Sequence, residues 1–312
     1  MAGTIAITGG SGFVGKHLIT HLVSQGWQVR ALSRSNGADL PGQGEIACHG
    51  ELDDTSSLEH LIQGADAIIH CAGLIKAHNR PDFFRINADA TTLLARLCAT
   101  SSTCSHFIFL SSLVARMPEL SNYAASKFAG EKGLEAQEML QWTIVRPPVI
   151  YGPGDRETFK LFRYMKHGIV FTPGSTKSRM SFLYIDDLCN ALTKLLERPA
   201  GAQNILDIHD GTPGGYDWQE LAATASQCLE RPVHAFRVPR AAAWPVAAVN
   251  TLLGRTFGYA PMLSPGKLRE AYHPDWVSTS NPICELTDWR PNVTILEGLR
   301  RSFQWYEQQG WL

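Results

Sequence analysis

Short apolar runs alternate with amphipathic segments through the first half of the chain. The runs have the length of buried strands, and the segments between them repeat apolar residues at the three- and four-residue spacing of helices. Strands that alternate with helices predict βαβ units and a parallel sheet, which binds its ligands at the carboxyl ends of the strands. The predicted strands are 4–8, 28–32, 46–48, 67–70, 107–110 and 143–146, and the helical segments include 55–63, 88–98 and 124–138.

A glycine-rich turn, Thr-Gly-Gly-Ser-Gly-Phe-Val-Gly at 8–15, directly follows the first apolar run and precedes a helical pattern. Strand, glycine turn and helix in this order are the context of a dinucleotide-binding loop. Gly9 would permit the tight turn, Gly12 would let a pyrophosphate approach the backbone, and Gly15 would let the helix pack on the strand. The N–H groups at the helix start would face the phosphates. The predicted loop residues are Gly9, Ser11, Gly12, Phe13, Val14 and Gly15.

The alternation of strands and helices ends after Arg146, where prolines at 147–148 and a Tyr-Gly-Pro-Gly segment at 151–154 interrupt it. Together with the glycine turn, this change predicts an α/β protein. We expect a Rossmann-type doubly wound parallel sheet with a smaller C-terminal α/β substrate lobe. The predicted domains are a dinucleotide-binding domain of 1–150 plus roughly 184–207, and a substrate-binding lobe of 151–183 and 208–312.

The end of the second predicted strand bears on which dinucleotide is bound. A site for NAD carries an acid about 20 residues after the glycine turn, where it bonds the ribose 2′-hydroxyl. Ser33 occupies that place here, and Arg34 follows it. A guanidinium beside a small residue suits a 2′-phosphate, and a contact of about 1.5–3 kcal/mol favours NADPH roughly ten- to a hundredfold. NADP(H) is therefore the preferred cofactor, with NAD(H) left open, and the plainer alternative makes Arg34 a solvated loop cation.

Tyr123 and Lys127 are four residues apart in a helical segment and therefore share a face. The ordinary pKa of tyrosine is about 10, and a neighbouring ammonium lowers it towards the range useful for acid–base chemistry. The pair follows a strand that ends in Ser111 and Ser112, at the edge where ligands bind. Either hydroxyl would donate to a substrate carbonyl oxygen as charge develops there.

Over nearly its full length the chain resembles the extended short-chain dehydrogenases/reductases, the superfamily of the NAD-dependent epimerases and dehydratases. Its C-terminal half is more similar to the 3β-hydroxysteroid dehydrogenase and dihydroflavonol reductase branch than to the sugar epimerases. The matching stretches are 8–15, His70-Cys71-Ala72-Gly73, Asn87, Ser111-Ser112, Tyr123 with Lys127, 146–154, 182–187, 288–291 and 297–299.

The resemblance implies roles for individual residues. Tyr123 would be the general acid–base, Lys127 would anchor the ribose and modulate that tyrosine, and Ser112 would donate to the substrate carbonyl. Asn87 would support the catalytic site. The remaining cofactor contacts would be Glu51 and Leu52 at the adenine, Cys71, Ala72 and Gly73 along the dinucleotide, and Pro148 and Val149 near the nicotinamide. Further candidates for substrate contact are Ser111, Lys76, Arg156 and Arg179.

The composition narrows the classes of function. Hydrophobic residues make up 44% and charged residues 18% of the 312, as in ordinary globular proteins. A net charge of −1 without a basic run gives no electrostatic case for nucleic acid. Seven scattered cysteines without a Cys-x-x-Cys pair indicate reduced thiols, and we expect no metal. Because the first strand begins too early for a signal peptide, we expect a cytoplasmic protein.

One apolar stretch, residues 241–253, permits two interpretations. It is shorter than the roughly 20 apolar residues that span a bilayer, so we expect no transmembrane segment. The plainer interpretation is a buried helix or lid of the second lobe. The other is a lipophilic wall or a membrane-surface helix near a lipophilic substrate. The family resemblance leaves both a monomer and a homodimer open.

Three functions remain open. The first is an NADPH-dependent carbonyl reductase or alcohol dehydrogenase acting on the ketone of a lipophilic substrate, such as a steroid, 3-ketosphinganine or a 3-oxoacyl group. The second is a nucleotide-sugar epimerase or dehydratase that uses Arg179 and Arg156, against which Arg34 and the apolar residues at 113–114 argue. The third is a non-catalytic NADPH-binding subunit, which would not need both Tyr123 and Lys127.

Overall fold

The computed structural model describes residues 3–197, 203–261 and 263–312, and these form two compact units. The dinucleotide-binding and substrate-binding roles expected of the two lobes stay predictions. The first unit comprises the described parts of Met1–Arg146, Leu188–Leu206 and Pro282–Trp289, and the second those of Pro147–Asp187, Asp207–Asn281 and Arg290–Leu312.

The strands follow the predicted order in the first half and become short in the second. In chain order they are β1 (Thr4–Thr8), β2 (Gln28–Ser33), β3 (Ile46–His49), β4 (Ala67–His70), β5 (His106–Leu110), β6 (Gln141–Arg146), β7 (Val149–Tyr151), β8 (Ile169–Pro173), β9 (Arg179–Met180), β10 (Phe182–Tyr184), β11 (Asn204–Asp207), β12 (Tyr216–Asp217), β13 (His234–Val238) and β14 (Asp275–Trp276).

Helices connect the strands in both units, and two irregular helical segments accompany them. A π-helix covers Arg85–Asp89, and a 3₁₀-helix covers Leu113–Arg116. The α-helices are α1 (Phe13–Ser24), α2 (Thr55–Ile62), α3 (Arg80–Phe84), α4 (Ala90–Thr100), α5 (Asn122–Glu135), α6 (Phe159–Lys166), α7 (Ile185–Glu197), α8 (Trp218–Leu229), α9 (Arg240–Phe257), α10 (Pro265–Ala271), α11 (Ile283–Leu286) and α12 (Ile295–Gln308).

The first unit contains a seven-stranded sheet with the strand order β11-β6-β5-β4-β1-β2-β3. The pairs from β3 to β6 are parallel, and Thr8 lies opposite His70 at the carboxyl ends of β1 and β4. The chain therefore reverses its direction of sheet growth beside β1. That reversal opens a crevice at the carboxyl ends of β1 and β4, which is where sheets of this topology bind their ligands. The predicted α/β class and Rossmann-type sheet are confirmed.

The core of the first unit forms where helices cover the apolar strands. Leu94 of α4 and Leu58 of α2 pack with Phe107 of β5 and Ile144 of β6, and all four are fully buried. Strands buried on both faces read as continuous apolar runs, which is why the sequence pattern located them well. The core holds the carboxyl ends of β1, β2, β4 and β5 in fixed positions for the site.

The second unit combines short strand pairs with helices. β7 pairs with β10, β8 with β13, and β9 with both β12 and β14. Buried Asp187, at the start of α7, accepts the backbone N–H groups of Asn292 and Val293 and thereby ties α7 to the segment before α12. Burial raises the pKa of Asp187, and those backbone donors oppose the rise. This carboxylate therefore has a structural role.

The apolar stretch 241–253 lies in α9, and much of this helix is exposed. The expectation of a buried helix is therefore wrong, and that of a lid stays a prediction. Ala247 is fully buried and packs with Leu268 and Tyr272, whereas Leu252 on the opposite side is 64% exposed. Among the residues that the structure describes, no helix has both the length and the hydropathy needed to cross a bilayer.

Candidate functional site

The glycine turn between β1 and α1 has the shape that a dinucleotide loop requires. Gly9 adopts φ = +76°, and a Cβ there would come within 2.7 Å of the backbone nitrogen of Ala72. A Cβ at Gly15 would overlap the carbonyl oxygen of Gly9 and lie 2.8 Å from the Cα of Gly10. The turn therefore excludes any side chain at these two positions, and α1 starts directly against the end of β1.

The start of α1 is electrostatically suited to an anion. Gly12 caps the helix without a side-chain hydrogen bond, and the first turn contains no acidic residue. The N-terminus of a helix carries partial positive charge and backbone N–H groups that point outwards. A bare N-cap beside a closely packed turn fits the pyrophosphate of a dinucleotide.

A cleft of about 360 Å³ lies along the carboxyl ends of β1, β2, β3 and β4. Most of the cofactor residues predicted in the first unit meet in it, although their positions in the sequence are far apart. These residues are Gly9, Ser11, Gly12, Ser33, Arg34, Glu51, Leu52, Cys71, Ala72 and Gly73. Seven further residues line the cleft that no sequence pattern predicted: Leu32, Asp39, Gly50, Asp53, Leu74, Arg85 and Ile86.

The loop after β2 places a carboxylate in this cleft. The Ser33 hydroxyl donates to Asp39 Oδ1 at 2.7 Å and accepts the Gly37 N–H at 2.9 Å, and Ser35 donates to the same carboxylate. The hydrogen bonds from Ser35 and Ser33 lower the pKa of Asp39 below its ordinary value. Ser33 therefore folds the loop, and an ionised Asp39 lines the region where sequence reasoning expected no acid.

Arg34 lines the same cleft with an exposed side chain. Among the residues that the structure describes, Arg34 has no ion-pair partner, so Asp39 does not neutralise its charge. The end of β2 and the loop after it thus place one cation, Arg34, and one anion, Asp39, in the cleft. Sequence spacing identified the cation but gave no signal for Asp39, because the path of the loop brings it to Ser33.

Helix α5 carries the predicted catalytic pair, Tyr123 and Lys127. Lys127 is 3% exposed, its Nζ donates to the carbonyl oxygen of Leu110 at 2.7 Å, and it lies 4.4 Å from the centre of the Phe109 ring. Burial lowers the pKa of Lys127 to about 8, while the negative charge of Glu131 opposes the change. The ammonium is therefore still mostly protonated at neutral pH and is fixed at the end of β5.

Asn87 connects the cleft to α5. It is fully buried in the π-helix, its amide nitrogen donates to the Leu74 carbonyl and to Ser126 Oγ, both at 2.9 Å, and its oxygen accepts the Leu74 N–H. A Cβ at Gly73 would lie 3.2 Å from Asn87 Oδ1 and 3.4 Å from Lys127 Nζ. Gly73 therefore keeps open the contact between the cleft and the buried ammonium.

The two serines after β5 differ in what their hydroxyls bond. Ser111 is buried and donates to Glu131 Oε1 at 2.5 Å, and Arg146 makes two hydrogen bonds to the same carboxylate. Ser112 is half-buried and accepts the N–H of Val114 at 3.5 Å at the start of the 3₁₀-helix. The Ser111 proton is thus already engaged, which favours Ser112 as the donor to a substrate.

His70, at the end of β4, belongs to the core although it borders the site. Its two ring nitrogens lie 2.6 Å from Thr8 Oγ1 and 2.9 Å from Thr91 Oγ1, and the ring is fully buried. Burial lowers its pKa to about 3, so the ring is neutral at physiological pH. Both nitrogens are committed to threonine hydroxyls, which leaves none for acid–base chemistry.

Arg179 is held within the second unit. Its guanidinium donates to the carbonyl oxygens of Gly214 at 2.6 Å and Gly215 at 2.7 Å and pairs with Glu220 at 3.1 Å. These contacts engage Nε and Nη2 of the guanidinium. The family resemblance made Arg179 a candidate for a nucleotide diphosphate, and its side-chain contacts argue for a structural role.

The other predicted contacts stay predictions. Pro148, Val149 and Arg156 belong to the second unit, and the guanidinium carbon of Arg156 lies 5.8 Å from the centre of the Trp311 ring. Lys76 is exposed in the segment after β4.

Comparison with known proteins agrees with this geometry. The model of the NAD dependent epimerase/dehydratase family matches residues 5–208, which include the glycine turn, Tyr123 and Lys127. A ceramide reductase from Caulobacter vibrioides is 34% identical over 99% of this chain and 96% of its own length. A decarboxylating sterol-4-alpha-carboxylate 3-dehydrogenase from Dictyostelium discoideum is 28% identical over 66% of this chain and 71% of its own length.

Solved structures show the same fold. The UDP-glucose 4-epimerase of Thermotoga maritima, solved with UDP-glucose, superposes with a TM-score of 0.75 at 19% identity, over 98% of this chain and 99% of the epimerase. The likeness therefore extends through both units of the chain.

Proposed function

The chain belongs to the NAD-dependent epimerase/dehydratase family, and on that premise we propose that it reduces the ketone of a lipophilic substrate with NADPH. It is an NAD(P)-dependent oxidoreductase of the short-chain dehydrogenase/reductase superfamily. The observation that carries the proposal is the buried Lys127 ammonium, which the Leu110 carbonyl fixes on the helix that carries Tyr123. A subunit that only bound the cofactor would not need this pair.

The proposed reaction divides the work between the cofactor and the chain. When it is bound, the nicotinamide supplies the hydride to the ketone carbon. Tyr123 gives its phenolic proton to the ketone oxygen, which produces a secondary alcohol. The positive charge of Lys127 stabilises the phenolate that remains, and Ser112 donates a hydrogen bond to the oxygen while charge develops on it. Asn87 positions the loop at 73–74 beside Lys127.

We assign the substrate to the long-chain, sphingoid-type ketones. The support is the ceramide reductase, whose name places its chemistry on a long-chain lipid and whose sequence aligns with 99% of this chain. The sterol dehydrogenase, a second relative named for a lipid, agrees with a lipophilic substrate. A 3-oxo group on such a lipid is a ketone that the proposed chemistry can reduce.

The nucleotide-sugar alternative has less support. At 19% identity, the likeness to the solved epimerase supports the fold alone. Nε and Nη2 of Arg179 already donate to Gly214, Gly215 and Glu220, which argues against a role for this side chain in binding a diphosphate.

The function is tested by following the oxidation of NADPH with the purified protein on long-chain and short-chain ketones, with nucleotide sugars in parallel. We expect turnover with a 3-oxo sphingoid lipid and none with the sugars. Conversion of a UDP-sugar without net NADPH oxidation would establish the epimerase instead. Tight NADPH binding with no turnover on any substrate would favour the non-catalytic subunit.

The preference for NADPH is proposed to depend on Arg34 and to be limited by Asp39. Arg34→Ala should weaken NADPH binding roughly ten- to a hundredfold, because a charge-assisted contact with the 2′-phosphate is lost.

Asp39→Asn should strengthen NADPH binding and weaken NADH binding, because it removes a negative charge that repels the phosphate and accepts from the ribose hydroxyl. Titrations of each variant with NADPH and NADH by nicotinamide fluorescence give both constants.

Arg96→Ala is the matched control for these titrations, because Arg96 is an exposed arginine of α4 that does not line the cleft. Its NADPH and NADH constants should equal those of the unmodified protein. If Arg34→Ala weakens both cofactors equally, Arg34 contributes general attraction and the proposed preference for NADPH is wrong.

A further inference from the structure

The outward side of helix α9 is entirely apolar between its two ends. Residues 241–254 contain no charged side chain, and the two polar ones, Asn250 and Thr251, are half-buried. Asn250 donates to the Leu263 carbonyl at 2.8 Å and accepts the Tyr259 hydroxyl at 2.7 Å, while Thr251 donates to the Ala247 carbonyl. Both polar side chains are thus hydrogen-bonded within the protein, and every residue of 241–254 that is exposed is apolar.

The exposure of this face is large for a globular protein. Phe257 is 74% exposed, and Val246 and Val249 are each 56% exposed. Contiguous exposed apolar surface of this kind marks an interaction site, whereas single exposed apolar residues are ordinary. A groove of about 810 Å³ runs beside the helix, lined by Val246, Val249 and neighbouring residues, with Lys160 among them.

Positive charge precedes α9 in the chain and lies at the groove beside it. Residues 231–261 contain four arginines and neither aspartate nor glutamate, although the whole chain has a net charge of −1. Arg237 and Arg240 are exposed immediately before the apolar face, and Lys160 is exposed at the groove. The local charge therefore complements an anionic surface.

We propose that α9 docks the protein on the surface of an anionic phospholipid bilayer, with its apolar face among the acyl chains and its flanking cations at the headgroups. An apolar helical face with basic residues at its margin is the pattern of interfacial helices. Eighteen residues at 1.5 Å per residue suit a helix that lies in the plane of the interface. A symmetric pair of copies joined through this face would bring the arginines of both copies together, which disfavours a second copy as the occupant.

The proposal goes beyond the ketone reduction, and its test measures membrane binding alone. The full-length protein is sedimented with vesicles of phosphatidylcholine alone and of phosphatidylcholine mixed with phosphatidylglycerol, in the absence of substrate. We expect strong binding to the mixed vesicles, weaker binding to the neutral ones, and a decrease as salt is raised, since salt screens the attraction of the arginines to the headgroups.

The double variant Val249→Ser/Leu252→Ser separates the apolar contact from charge. It should weaken binding to the mixed vesicles roughly tenfold or more for each side chain that no longer enters the lipid. Met139→Ser is the matched control, because Met139 is 91% exposed in the first unit, and its vesicle binding should be unchanged. Retained NADPH binding and an unchanged unfolding temperature show that the double variant folds.

Two results would overturn the proposal. One is that the protein does not sediment with the vesicles, or that the double variant sediments with them as strongly as the unmodified protein. The other is a concentration-dependent dimer, seen by light scattering, that the double variant abolishes, since that would assign the face to a second copy. Vesicle binding by a protein that reduces no ketone would refute the proposed reaction only, so the two failures are distinguishable.

Discussion

Tyr123→Phe is expected to lower kcat/KM for the ketone by roughly 10²- to 10⁴-fold, the usual contribution of a positioned proton donor. The substitution removes only the hydroxyl, and the ring keeps its contact with Phe83, whose centre lies 6.3 Å away. NADPH affinity should stay within about twofold, a free-energy change well below 1 kcal/mol. Steady-state kinetics with the lipid ketone and fluorescence titration with NADPH measure the two quantities separately.

Tyr164→Phe is the matched control, because this hydroxyl belongs to an exposed tyrosine of α6 in the second unit. It should leave both constants unchanged. Turnover by Tyr123→Phe at the rate of the unmodified protein would show that another group donates the proton, and the proposed mechanism would then be wrong. Loss of NADPH binding in that variant would assign the residue to the cofactor site alone.

Glu131→Ala is expected to lower the free energy of unfolding by about 3–5 kcal/mol, the cost of removing one partner of a buried ion pair. Glu131 is fully buried on α5 and receives two hydrogen bonds from Arg146, at 2.9 and 2.5 Å, and one from Ser111. The substitution leaves a guanidinium with little access to water and no counter-charge in that contact. Urea unfolding, followed by tryptophan fluorescence and by circular dichroism, measures the loss.

Lys132→Ala is the control from the same helix, since Lys132 pairs with Glu135 but its side chain is 54% exposed. An exposed pair contributes about 0–1 kcal/mol, so the variant should unfold almost as the unmodified protein does. If Glu131→Ala and Lys132→Ala cost the same, the Arg146 guanidinium finds water or another acceptor, and the ion pair is not important for stability.

Sequence predicted the site best where the local backbone conformation allows only one type of residue. At Gly9 a positive φ and at Gly15 a close backbone approach leave room for glycine alone, so the motif and its geometry imply each other. The family prediction, which depended on that turn and on the Tyr123–Lys127 spacing, is confirmed. The roles assigned to individual residues stay predictions.

Asp39 and the difference between Ser111 and Ser112 were not predictable from spacing. Asp39 reaches the cleft through the path of a loop, and no motif relates it to Ser33. Ser111 and Ser112 are adjacent and chemically identical, and they differ because Glu131, twenty residues away on α5, takes the hydroxyl of one. Contacts across such separations depend on how helices pack, which one sequence does not specify.

The sequence did not determine whether α9 is buried or exposed, for a different reason. A buried helix and a helix that meets lipid both need apolar residues, so the composition of 241–253 fits either. What distinguishes them is which faces the neighbouring elements cover. Here α10 covers the side of Ala247, and Leu252 and Phe257 are left exposed.

The anchoring of Lys127 reduces the conformational entropy that the side chain would lose when a substrate or cofactor binds. A free lysine side chain loses about 1.5–2 kcal/mol of rotational entropy when it is immobilised. Here the Leu110 carbonyl and the Phe109 ring restrict the side chain as part of the folded core. Ordering of the ammonium is therefore completed when the chain folds, and a ligand does not have to bring it about. Such preorganisation leaves more of the interaction with a substrate available to lower the barrier of the chemical step.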